Sequence, residues 1–368
     1  MNLIPFNSIF YYCATSATGS TTRKIAAFDL DSTLIKTKSG KLFGGNDSTD
    51  WEFAFSTVPQ ILHNFHQNGF HIVIFTNQKG IGSETMQIEH FKNKITDIVS
   101  NLNLPIDIFI ATQDDYYRKP CTGMWDKFFE FHPNIKLEES FYCGDAAGRP
   151  NDFIPGHKKD FSSSDLFFAN NIGLEFRLPE NVFLSKNYSI PAPPSHNFVG
   201  SNKIQTSLMF PSDQNQKLFI MMVGSPASGK STLAQSILSN AVRINQDLLG
   251  TKVKCLKAVK QAVASGSNII VDNTNPSVAS RKEYLDLVPE SYYKVAICMD
   301  VDKKLAHHLN YVRVQCGKGS IKKIPDIAFN VYFKKFETPT IDEGFSKINH
   351  IPFVLREDIK EIHYHFVE

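Results

Sequence analysis

The chain has 368 residues, of which 42% are hydrophobic and 21% charged, and its formal net charge is only +2. This length and hydrophobic content suit two globular domains with cores of their own, and they exclude a disordered or strongly polybasic protein. The six cysteines include no Cys-x-x-Cys pair, which argues against structural zinc or a disulfide framework. No apolar run approaches the roughly 20 residues of a membrane helix, so we expect no membrane association.

The first 22 residues carry no acidic or basic side chain and lack the positive stretch that opens a signal peptide. We expect them to form an N-terminal tail or the first edge element of a domain. Mitochondrial targeting by this segment stays open, although no arginine precedes Arg23.

Residues 25–34, IAAFDLDSTL, predict a short buried parallel strand with Asp29 and Asp31 at its carboxyl end. Residues two apart in extended chain point to the same side, so both carboxylates can reach one spot. Such a pair favours a hard divalent cation, Mg²⁺ above all. It suits phosphate ester cleavage, in which one carboxylate attacks phosphorus and the other protonates the leaving alkoxide. A strand followed by an ordinary turn explains these ten residues equally well.

Later apolar runs also end in polar residues. The run HIVIFTNQKG ends in Thr76 and Asn77, which can hold a phosphoryl oxygen, and a strand over 106–111 is followed by Lys119, which can neutralise phosphate charge. Amphipathic helices are predicted over 58–68 and 84–102. These strands and helices alternate, which is typical of a parallel α/β sheet.

A fourth strand over 140–143 precedes Asp145, which would complete a Mg²⁺ site with Asp29 and the carbonyl of Asp31. Beyond a long insert, the spacing predicts a helix that begins near Asp165, with this acid pointing back toward the site.

The order of these motifs resembles the haloacid dehalogenase phosphatase superfamily. The match consists of D-L-D-S-T at 29–33, T-N at 76–77, K-P at 119–120, and G-D at 144–145 with Asp165. The resemblance implies that Asp29 is the nucleophile that forms an aspartyl-phosphate, and that Asp31 is the general acid and then the base. Metal ligands are expected to be Asp29, Asp31, Asp145 and Asp165. Phosphate contacts are expected from Ser32, Thr76, Asn77, Arg118 and Lys119.

The second half begins with a nucleotide-binding motif. LFIMMV at 218–223 predicts a buried strand, and GSPASGKST at 224–232 matches G-x-x-x-x-G-K-[ST] with a helix-like segment after it. Backbone N–H groups and the helix N-terminus suit phosphates, while Lys230 reaches the β- and γ-phosphates of ATP and Ser231 ligates Mg²⁺. The expected ATP-binding residues are Gly224, Ser225, Ala227, Ser228, Gly229, Lys230, Ser231, Thr232 and, on a lid helix over 306–317, Arg313.

Asp247 is the residue that favours a kinase over an ATPase as the interpretation of this nucleotide-binding motif. It follows the next short strand and is placed to accept the proton of an acceptor hydroxyl, with a helix N-cap as the plainer alternative. Asp272, after a strand over 268–271, is expected to hold Mg²⁺ through water or to orient the acceptor. Asn273 and Arg281 are expected in the same acceptor site, and a solvated helix arginine is the alternative for Arg281.

The complete order resembles the eukaryotic bifunctional polynucleotide kinase 3′-phosphatases over about residues 23–368. The segments that carry it are YRKPCTGMW, YCGDAAGRP, HKKDFSSSD, GSPASGKST, VDNTNP and FETPTIDEGF. The resemblance implies removal of 3′-phosphates from DNA strand-break ends, ATP-dependent phosphorylation of 5′-hydroxyls, Mg²⁺ dependence and a nuclear location. We expect no counterpart of the family's fork-head-associated module before residue 23. Gln246, His307 and Tyr311 stand where the family often has arginine, and His307 and His308 are expected to be solvated.

We therefore predict an α/β protein in which a Rossmann-like haloacid dehalogenase phosphatase domain precedes a P-loop kinase α/β domain. The expected parts are a tail (1–22), a 3′-phosphatase domain (23–180), a linker rich in Pro, Ser and Asn (181–216), and a 5′-kinase domain (217–368). DNA ends would be bound by the monomer without sequence preference. The candidate basic patches are Lys36, Lys38, Lys41, Lys158 and Lys159, which could equally be solvated surface. An RNA-end healing enzyme and a non-catalytic DNA-end-binding scaffold remain the alternative functions.

Overall fold

The computed structural model describes residues 1–14, 22–41, 44–193, 216–237 and 240–367. Two α/β units divide the chain. The first comprises Met1–His196, Val314–Lys322 and Tyr364–Glu368, and the second Asn197–Arg313 and Lys323–His363. Most of the predicted linker, 194–215, lies outside the described residues. In the part of the chain that the structure describes, no helix is long and apolar enough to cross a membrane.

The first unit is built on a seven-stranded sheet with the order β1-β2-β7-β6-β3-β8-β9. The strands from β7 to β9 in this order run parallel, whereas β1 and β2 are antiparallel additions at one edge. The strands of this unit, including a separate antiparallel pair formed by β4 and β5, are β1 (Ile4–Phe6), β2 (Ile9–Tyr12), β3 (Lys24–Phe28), β4 (Ile35–Lys36), β5 (Glu52–Phe53), β6 (Phe70–Asn77), β7 (Ile106–Ala111), β8 (Phe141–Cys143) and β9 (Glu175–Arg177).

Strands β1 and β2 decide between the two alternatives expected for the N-terminal segment, a tail or an edge element. Residues 9–12 pair with β7 and residues 4–6 pair with β2, so this part of the segment is an edge element of the sheet. Apolar and aromatic side chains without charges suit strands that extend a hydrophobic sheet.

The helices of the first unit cover both faces of its sheet. They are α1 (Val58–Gln67), α2 (Lys79–Gly82), α3 (Ile88–Leu102), α4 (Gly123–Phe131), α5 (Ser164–Asn171) and α6 (Pro179–Phe183). Helix α3 begins four residues later than the predicted 84–102, because Glu84 has a left-handed φ of 59° and Gln87 is extended. One face of the sheet packs Ala27, Phe75 and Phe109 into a core, and the other packs Phe28, Ile74 and Ile108. The core therefore lies on both faces of β3, as expected for a central parallel strand.

A buried acid with two histidines ties the edge of the sheet to its centre. Asp107 on β7 is fully buried, and its Oδ2 lies 2.9 Å from Nε2 of His71 and 2.8 Å from Nε2 of His132. Its Oδ1 accepts the backbone N–H of Ala14, just beyond β2, at 2.8 Å. Burial opposes ionisation, but these hydrogen bonds outweigh it and hold the pKa of Asp107 below its usual range. The cluster is thus a satisfied hydrogen-bonded network that fastens the N-terminal strands.

The second unit contains a five-stranded parallel sheet with the order β11-β12-β10-β13-β14. Its strands are β10 (Leu218–Val223), β11 (Val242–Ile244), β12 (Ile269–Val271), β13 (Tyr293–Asp300) and β14 (Lys347–Pro352). Its helices, with the last turns of α11 assigned to the first unit, are α7 (Lys230–Ile237), α8 (Gln246–Leu249), α9 (Lys252–Ala264), α10 (Val278–Leu285), α11 (Lys303–Gly317), α12 (Asp326–Lys335) and α13 (Lys360–His363). Central β10 is buried throughout, so the loop after it leaves the middle of the sheet.

Asp107→Asn is expected to destabilise the first unit by roughly 2–4 kcal/mol, because an amide NH₂ cannot accept the hydrogen bonds that a buried carboxylate accepts. Both tryptophans of the chain, Trp51 and Trp125, lie in this unit, so urea unfolding followed by tryptophan fluorescence reports on it alone. Asp114→Asn is the matched surface control, with an expected change within about 0.5 kcal/mol.

The difference in free energy of unfolding between wild type and Asp107→Asn should depend on pH, because the pKa of Asp107 is lowered in the folded protein. A carboxyl group whose pKa is lower in the folded state adds stability above its unfolded pKa, and this stability is lost as the pH falls through the folded value. The gap between wild type and Asp107→Asn should stay constant near neutral pH and shrink below about pH 4. A difference in free energy of unfolding that grows as the pH falls below about 4 would contradict this explanation.

Candidate active sites

Three carboxyl groups converge at the carboxyl end of the first unit's sheet. Asp29 directly follows β3, Asp145 follows β8 after one residue, and Asp165 is the second residue of α5. One oxygen from each lies within 4.8 Å of the others. Because β3 and β8 are neighbouring parallel strands, their carboxyl ends deliver side chains to the same edge, where ligands of α/β sheets bind.

A buried lysine holds two of these carboxyl groups. Nζ of Lys119 donates to Oδ1 of Asp29 at 2.6 Å, to Oδ1 of Asp165 at 2.7 Å and to the hydroxyl of Tyr142 at 2.8 Å. Burial opposes the charge of Lys119, but Asp165 and Asp29 outweigh it and hold its pKa above the ordinary value. The ammonium group is therefore fixed beside the side chain expected to attack phosphorus.

The site contains more acid than this one ammonium can neutralise. Burial raises the pKa of Asp29 to about 7, with Lys119 opposing and Asp165 reinforcing the shift. Burial, followed by the charges of Asp165 and Asp29, also holds the pKa of Asp145 well above its usual range. A cluster of carboxylate oxygens with this excess of negative charge is the donor set that a hard divalent cation prefers. The residues present therefore fit Mg²⁺.

The carboxylate of Asp31 is not part of the converging group, so the two carboxylates do not share one spot, while the role of the Asp31 backbone carbonyl as a metal ligand stays a prediction. Its Oδ2 accepts a hydrogen bond from Nε2 of Gln78 at 2.6 Å, and its Oδ1 lies 3.6 Å from Nζ of Lys94. The chain turns at Ser32, where φ is 61° and the N–H donates to the carbonyl of Ile35. Residues 29 and 31 are thus not two positions of one extended strand, and the third carboxyl group of the cluster is that of Asp165.

Asp165 reaches the site because the insert 146–163 folds back on itself. Arg149, only 2% exposed, donates from Nε to Asp160 at 2.8 Å and from Nη1 to Glu180 at 3.1 Å. Its Nη2 donates to the backbone carbonyl of Asp145 at 2.9 Å. Thr33 completes this support, since its hydroxyl accepts the N–H of Asp145 at 3.0 Å. Arg149 therefore holds Asp145 and the returning insert together.

The side chains expected to contact phosphate differ in burial and in hydrogen bonding. Thr76 is buried and accepts a hydrogen bond from Gln78, whereas Ser32 is exposed on its turn. Asn77 exchanges two hydrogen bonds with the backbone of Lys119, so its amide positions the lysine loop. Nη1 of half-buried Arg118 makes no hydrogen bond within the described residues, which leaves it available to an anion.

Sequence reasoning missed four side chains at this site: Gln78, Lys94, Tyr142 and Arg149. Gln78 directly follows the T-N pair, and Lys94 interrupts the apolar stripe of α3, so both had a local signal. Tyr142 and Arg149 act through partners distant in sequence, for which a single chain offers no pattern.

The nucleotide-binding loop lies after β10 and leads into α7. Ala227 and Gly229 adopt left-handed φ values of 61° and 88°. A side chain at Gly224 would meet Oγ of Ser228 at 2.8 Å and Cβ of Met299 at 2.9 Å, so the loop is tightly wound there. Oγ of Ser225 is buried without a hydrogen-bond partner among the described residues. These features fit a cradle for phosphate.

Lys230 stands at the start of α7 and is buried. Its Nζ donates to the carbonyl of Ser225 at 2.6 Å, so the ammonium is folded back over the loop. Burial lowers the pKa of Lys230 to about 8, against the opposing charges of Asp272 and Asp247. Ser231 and Thr232 follow it, exposed in the first turn of the helix. The expected ATP-binding residues of 224–232 therefore form one loop and the first turn of α7, whereas Arg313 lies on α11.

Asp247 is exposed on α8 and lies within electrostatic reach of Lys230. Asn245 caps this helix by accepting the N–H of Leu248 at 3.2 Å, so Asp247 is not the N-cap residue. Burial lowers the pKa of half-buried Arg313, and the negative charge of Asp247 opposes this shift. Arg313 is therefore also within electrostatic reach of Asp247. The carboxylate of Asp247 is thus open to an acceptor hydroxyl.

Asp272 lies at the end of β12 and is 1% exposed. Its Oδ2 accepts hydrogen bonds from Arg243 at 2.5 Å and from Asn245 at 3.2 Å, while its buried Oδ1 has no hydrogen-bond partner in the described chain. Asn273 accepts the N–H of Gln246 at 2.8 Å and so ties the two strand ends together. Asp272 and Asn273 both border the nucleotide-binding loop, and Asp272 forms an ion pair with Arg243.

Arg281 corrects both interpretations offered for it. Its side chain is fully buried, and two of its nitrogens donate to the carboxylate of Glu343 at 2.7 Å each. Nη1 donates to the carbonyl of Glu337 at 2.8 Å. It is therefore a structural residue, neither solvated nor an acceptor contact. His308 is likewise buried, and the ring of His307 stacks on Phe329 with centroids 4.4 Å apart, so neither histidine is simply solvated.

A buried aspartate cluster with its lysine, and a wound glycine loop that leads into a helix, define a haloacid dehalogenase-type phosphatase unit followed by a P-loop kinase unit. Family models agree: the polynucleotide kinase 3 phosphatase model matches residues 24–183 and an AAA domain model matches 219–339. The chain is 38% identical over 347 residues to the bifunctional polynucleotide phosphatase/kinase of Schizosaccharomyces pombe, across 92% of this chain and 82% of the relative. It belongs to the family of bifunctional polynucleotide phosphatase/kinases.

Other relatives match all or part of this arrangement. A putative bifunctional polynucleotide phosphatase/kinase of Acanthamoeba polyphaga mimivirus is 35% identical, across 90% of this chain and 85% of the relative. A polynucleotide 3′-phosphatase of Saccharomyces cerevisiae is 29% identical, across 43% of this chain and 87% of that protein.

Gly144→Ala is expected to lower phosphatase activity about tenfold or more, because the new Cβ would lie 2.5 Å from Cγ and Oδ2 of Asp165 and displace that carboxylate. Kinase activity of the same preparation should be unchanged and serves as the internal control. Both rates are measured on end-labelled oligonucleotides. A normal phosphatase rate would show that the position of Asp165 does not matter.

Proposed function

We propose that this protein repairs DNA strand-break ends by removing 3′-phosphates and by phosphorylating 5′-hydroxyls with ATP. The observation that carries the proposal is the presence, in one chain, of the cluster of Asp29, Asp145 and Asp165 around Lys119 and of a phosphate cradle with Lys230 and Asp247 beside it. Opposite defects at a break, a blocking 3′-phosphate and a missing 5′-phosphate, are corrected by these two chemistries.

The first reaction begins on Asp29. Its carboxylate attacks phosphorus to form an aspartyl-phosphate, and Asp31 protonates the departing 3′-oxygen. Asp31 then takes a proton from the water that hydrolyses the aspartyl-phosphate. Lys119, already fixed by three hydrogen bonds, neutralises negative charge on the phosphoryl group, with Thr76 and Arg118 bordering it.

Mg²⁺, held by Asp29, Asp145 and Asp165, would supply charge neutralisation for the phosphoryl oxygens and for the crowded carboxylates. Burial first, and then the neighbouring carboxylates, raise the pKa of Asp29 and of Asp145, so a bound cation would stabilise the charged form of both groups.

The second reaction is positioned by the loop 224–232. Its backbone N–H groups and Lys230 bind the phosphates of ATP, and Ser231 is placed in the first turn of α7, where P-loop proteins hold their metal. Asp247 accepts the proton of the 5′-hydroxyl as its oxygen attacks the γ-phosphorus. Arg313 lies in the field of Asp247 and contributes positive charge near the transferring group.

The proposal extends to the substrate and to the cellular setting. DNA ends would be bound through their phosphates without sequence preference, by a monomer in the nucleus. Exposed Lys158 and Lys159, and exposed Lys38 and Lys41 of the loop between β4 and β5, are the surface lysines available for this. Lys36 is already paired with Glu52 at 3.3 Å.

Asp29→Asn should abolish 3′-phosphatase activity and leave 5′-phosphorylation within about twofold of wild type, because the two sites use different sheets. Lys230→Ala should do the reverse. Each variant is the control for the other, with both ends of one labelled oligonucleotide followed. Loss of both reactions in either folded variant would contradict the division of labour, and retention of both would favour a binding scaffold.

Matched DNA and RNA strands with 3′-phosphates should differ in kcat/KM, with DNA preferred. The same comparison at the 5′-hydroxyl tests the kinase. An RNA preference in both reactions would replace DNA repair by RNA-end healing as the function.

A further inference from the structure

Lys94 is a buried lysine at the phosphatase site to which the reaction above gives no role. It lies on α3, and only 7% of it is exposed. Its amine is 3.6 Å from Oδ1 of Asp31, and this ion pair is its one polar interaction within the described residues. An ammonium group has three N–H donors, and burying it without hydrogen bonds is costly. Lys94 therefore keeps unused capacity to bind an anion.

The neighbours of Lys94 do not supply that anion. Asp50 is the buried acid of the adjoining loop between β4 and β5, and both of its oxygens already accept hydrogen bonds from Ser39, at 2.7 Å each. The amine lies beside this loop, 3.7 Å from where a side chain at Gly44 would begin. Asp31, its one partner, has a side chain that is 39% exposed and so opens toward solvent. The free donors of Lys94 thus lie beside a side chain of the site that solvent reaches.

The position of Asp31 tells which part of the substrate would meet Lys94. In the proposed reaction Asp31 protonates the departing 3′-oxygen, so the sugar that carries this oxygen must lie next to Asp31. In a polynucleotide the same sugar carries, at its 5′ carbon, the phosphodiester that joins it to the rest of the strand. This phosphodiester is the anion nearest to the leaving oxygen that a mononucleoside 3′-phosphate lacks.

We propose that Lys94 binds the phosphodiester on the 5′ side of the terminal nucleotide and thereby makes the phosphatase prefer a 3′-phosphate on a strand over one on a free nucleoside. This rests on the proposed 3′-phosphatase function. Charge-assisted hydrogen bonds of this kind contribute enough to change kcat/KM by about tenfold or more. Lys94 is then a substrate-binding residue as well as a neighbour of Asp31.

The test is a double-mutant cycle in which one change removes the Lys94 amine and the other removes the 5′-phosphate of the substrate. The kcat/KM of wild type and Lys94→Met is measured on thymidine 3′-phosphate and on thymidine 3′,5′-bisphosphate, which differ by one 5′-phosphate. Wild type should prefer the bisphosphate by about tenfold or more, and Lys94→Met should lose this preference. Lys92→Met, which removes a half-buried lysine paired with Glu89 on the same helix, should keep it.

Two results would overturn the proposal. If Lys94→Met slows both substrates by the same factor, the lysine acts only through Asp31. If it changes neither, the lysine has no role in the reaction. Wild type that hydrolyses neither substrate nor a 3′-phosphorylated oligonucleotide would instead refute the proposed function itself.

A second measurement needs no variant and so does not depend on the folding of Lys94→Met. Wild type is given 3′-phosphorylated oligonucleotides in which one linkage is an uncharged methylphosphonate. Neutralising the linkage next to the terminal nucleotide should reduce kcat/KM about tenfold, and neutralising a linkage four nucleotides away should have a much smaller effect. Equal effects at the two linkages would overturn the proposal.

Discussion

One buried ammonium group, that of Lys119, sets the arrangement of the first unit's site. It binds Asp29 and Asp165 at once and is braced by Tyr142, so three elements of the fold must meet at one point. Removing the ammonium would leave several carboxyl groups buried together without compensation, which is costly in a low-dielectric interior. The parallel strands provide the meeting point, because the ends of β3 and β8 are neighbours.

The site of the second unit carries positive charge where the site of the first unit carries an excess of negative charge. Its loop presents backbone N–H groups and a buried Lys230 whose pKa is lowered to about 8 by burial, so it is prepared for an anion, whereas the first site is prepared for a cation and a phosphoryl group together. In both units the reacting groups follow the central strand of a parallel sheet, β3 or β10. A chain that joins the two can complete both ends of a broken strand.

The sequence was informative where function follows directly from a strand end. Asp29, Asp145 and the glycine loop could be located from apolar runs and the residues after them, because the carboxyl ends of parallel strands are where ligands bind. It was less informative where distant segments meet. Asp165 could be expected at the site, but no local pattern shows the pairing of Arg149 with Asp160 and Glu180 that holds the insert before it. Arg281 is likewise paired with Glu343, 62 residues further along. The position of Asp31 depends on the turn at Ser32, where φ is left-handed. The sequence does not indicate this turn, because residues other than glycine rarely adopt a left-handed φ.

The most direct test of this account is a crystal structure of the wild-type protein grown with Mn²⁺ in place of Mg²⁺, with the ion located from its anomalous signal. The account predicts one ion in the first unit, in contact with side-chain oxygens of Asp29 and Asp145, beside Asp165 and away from the carboxylate of Asp31. An ion bound through the carboxylate of Asp31, or no ion between Asp29 and Asp145 at saturating Mn²⁺, would contradict it.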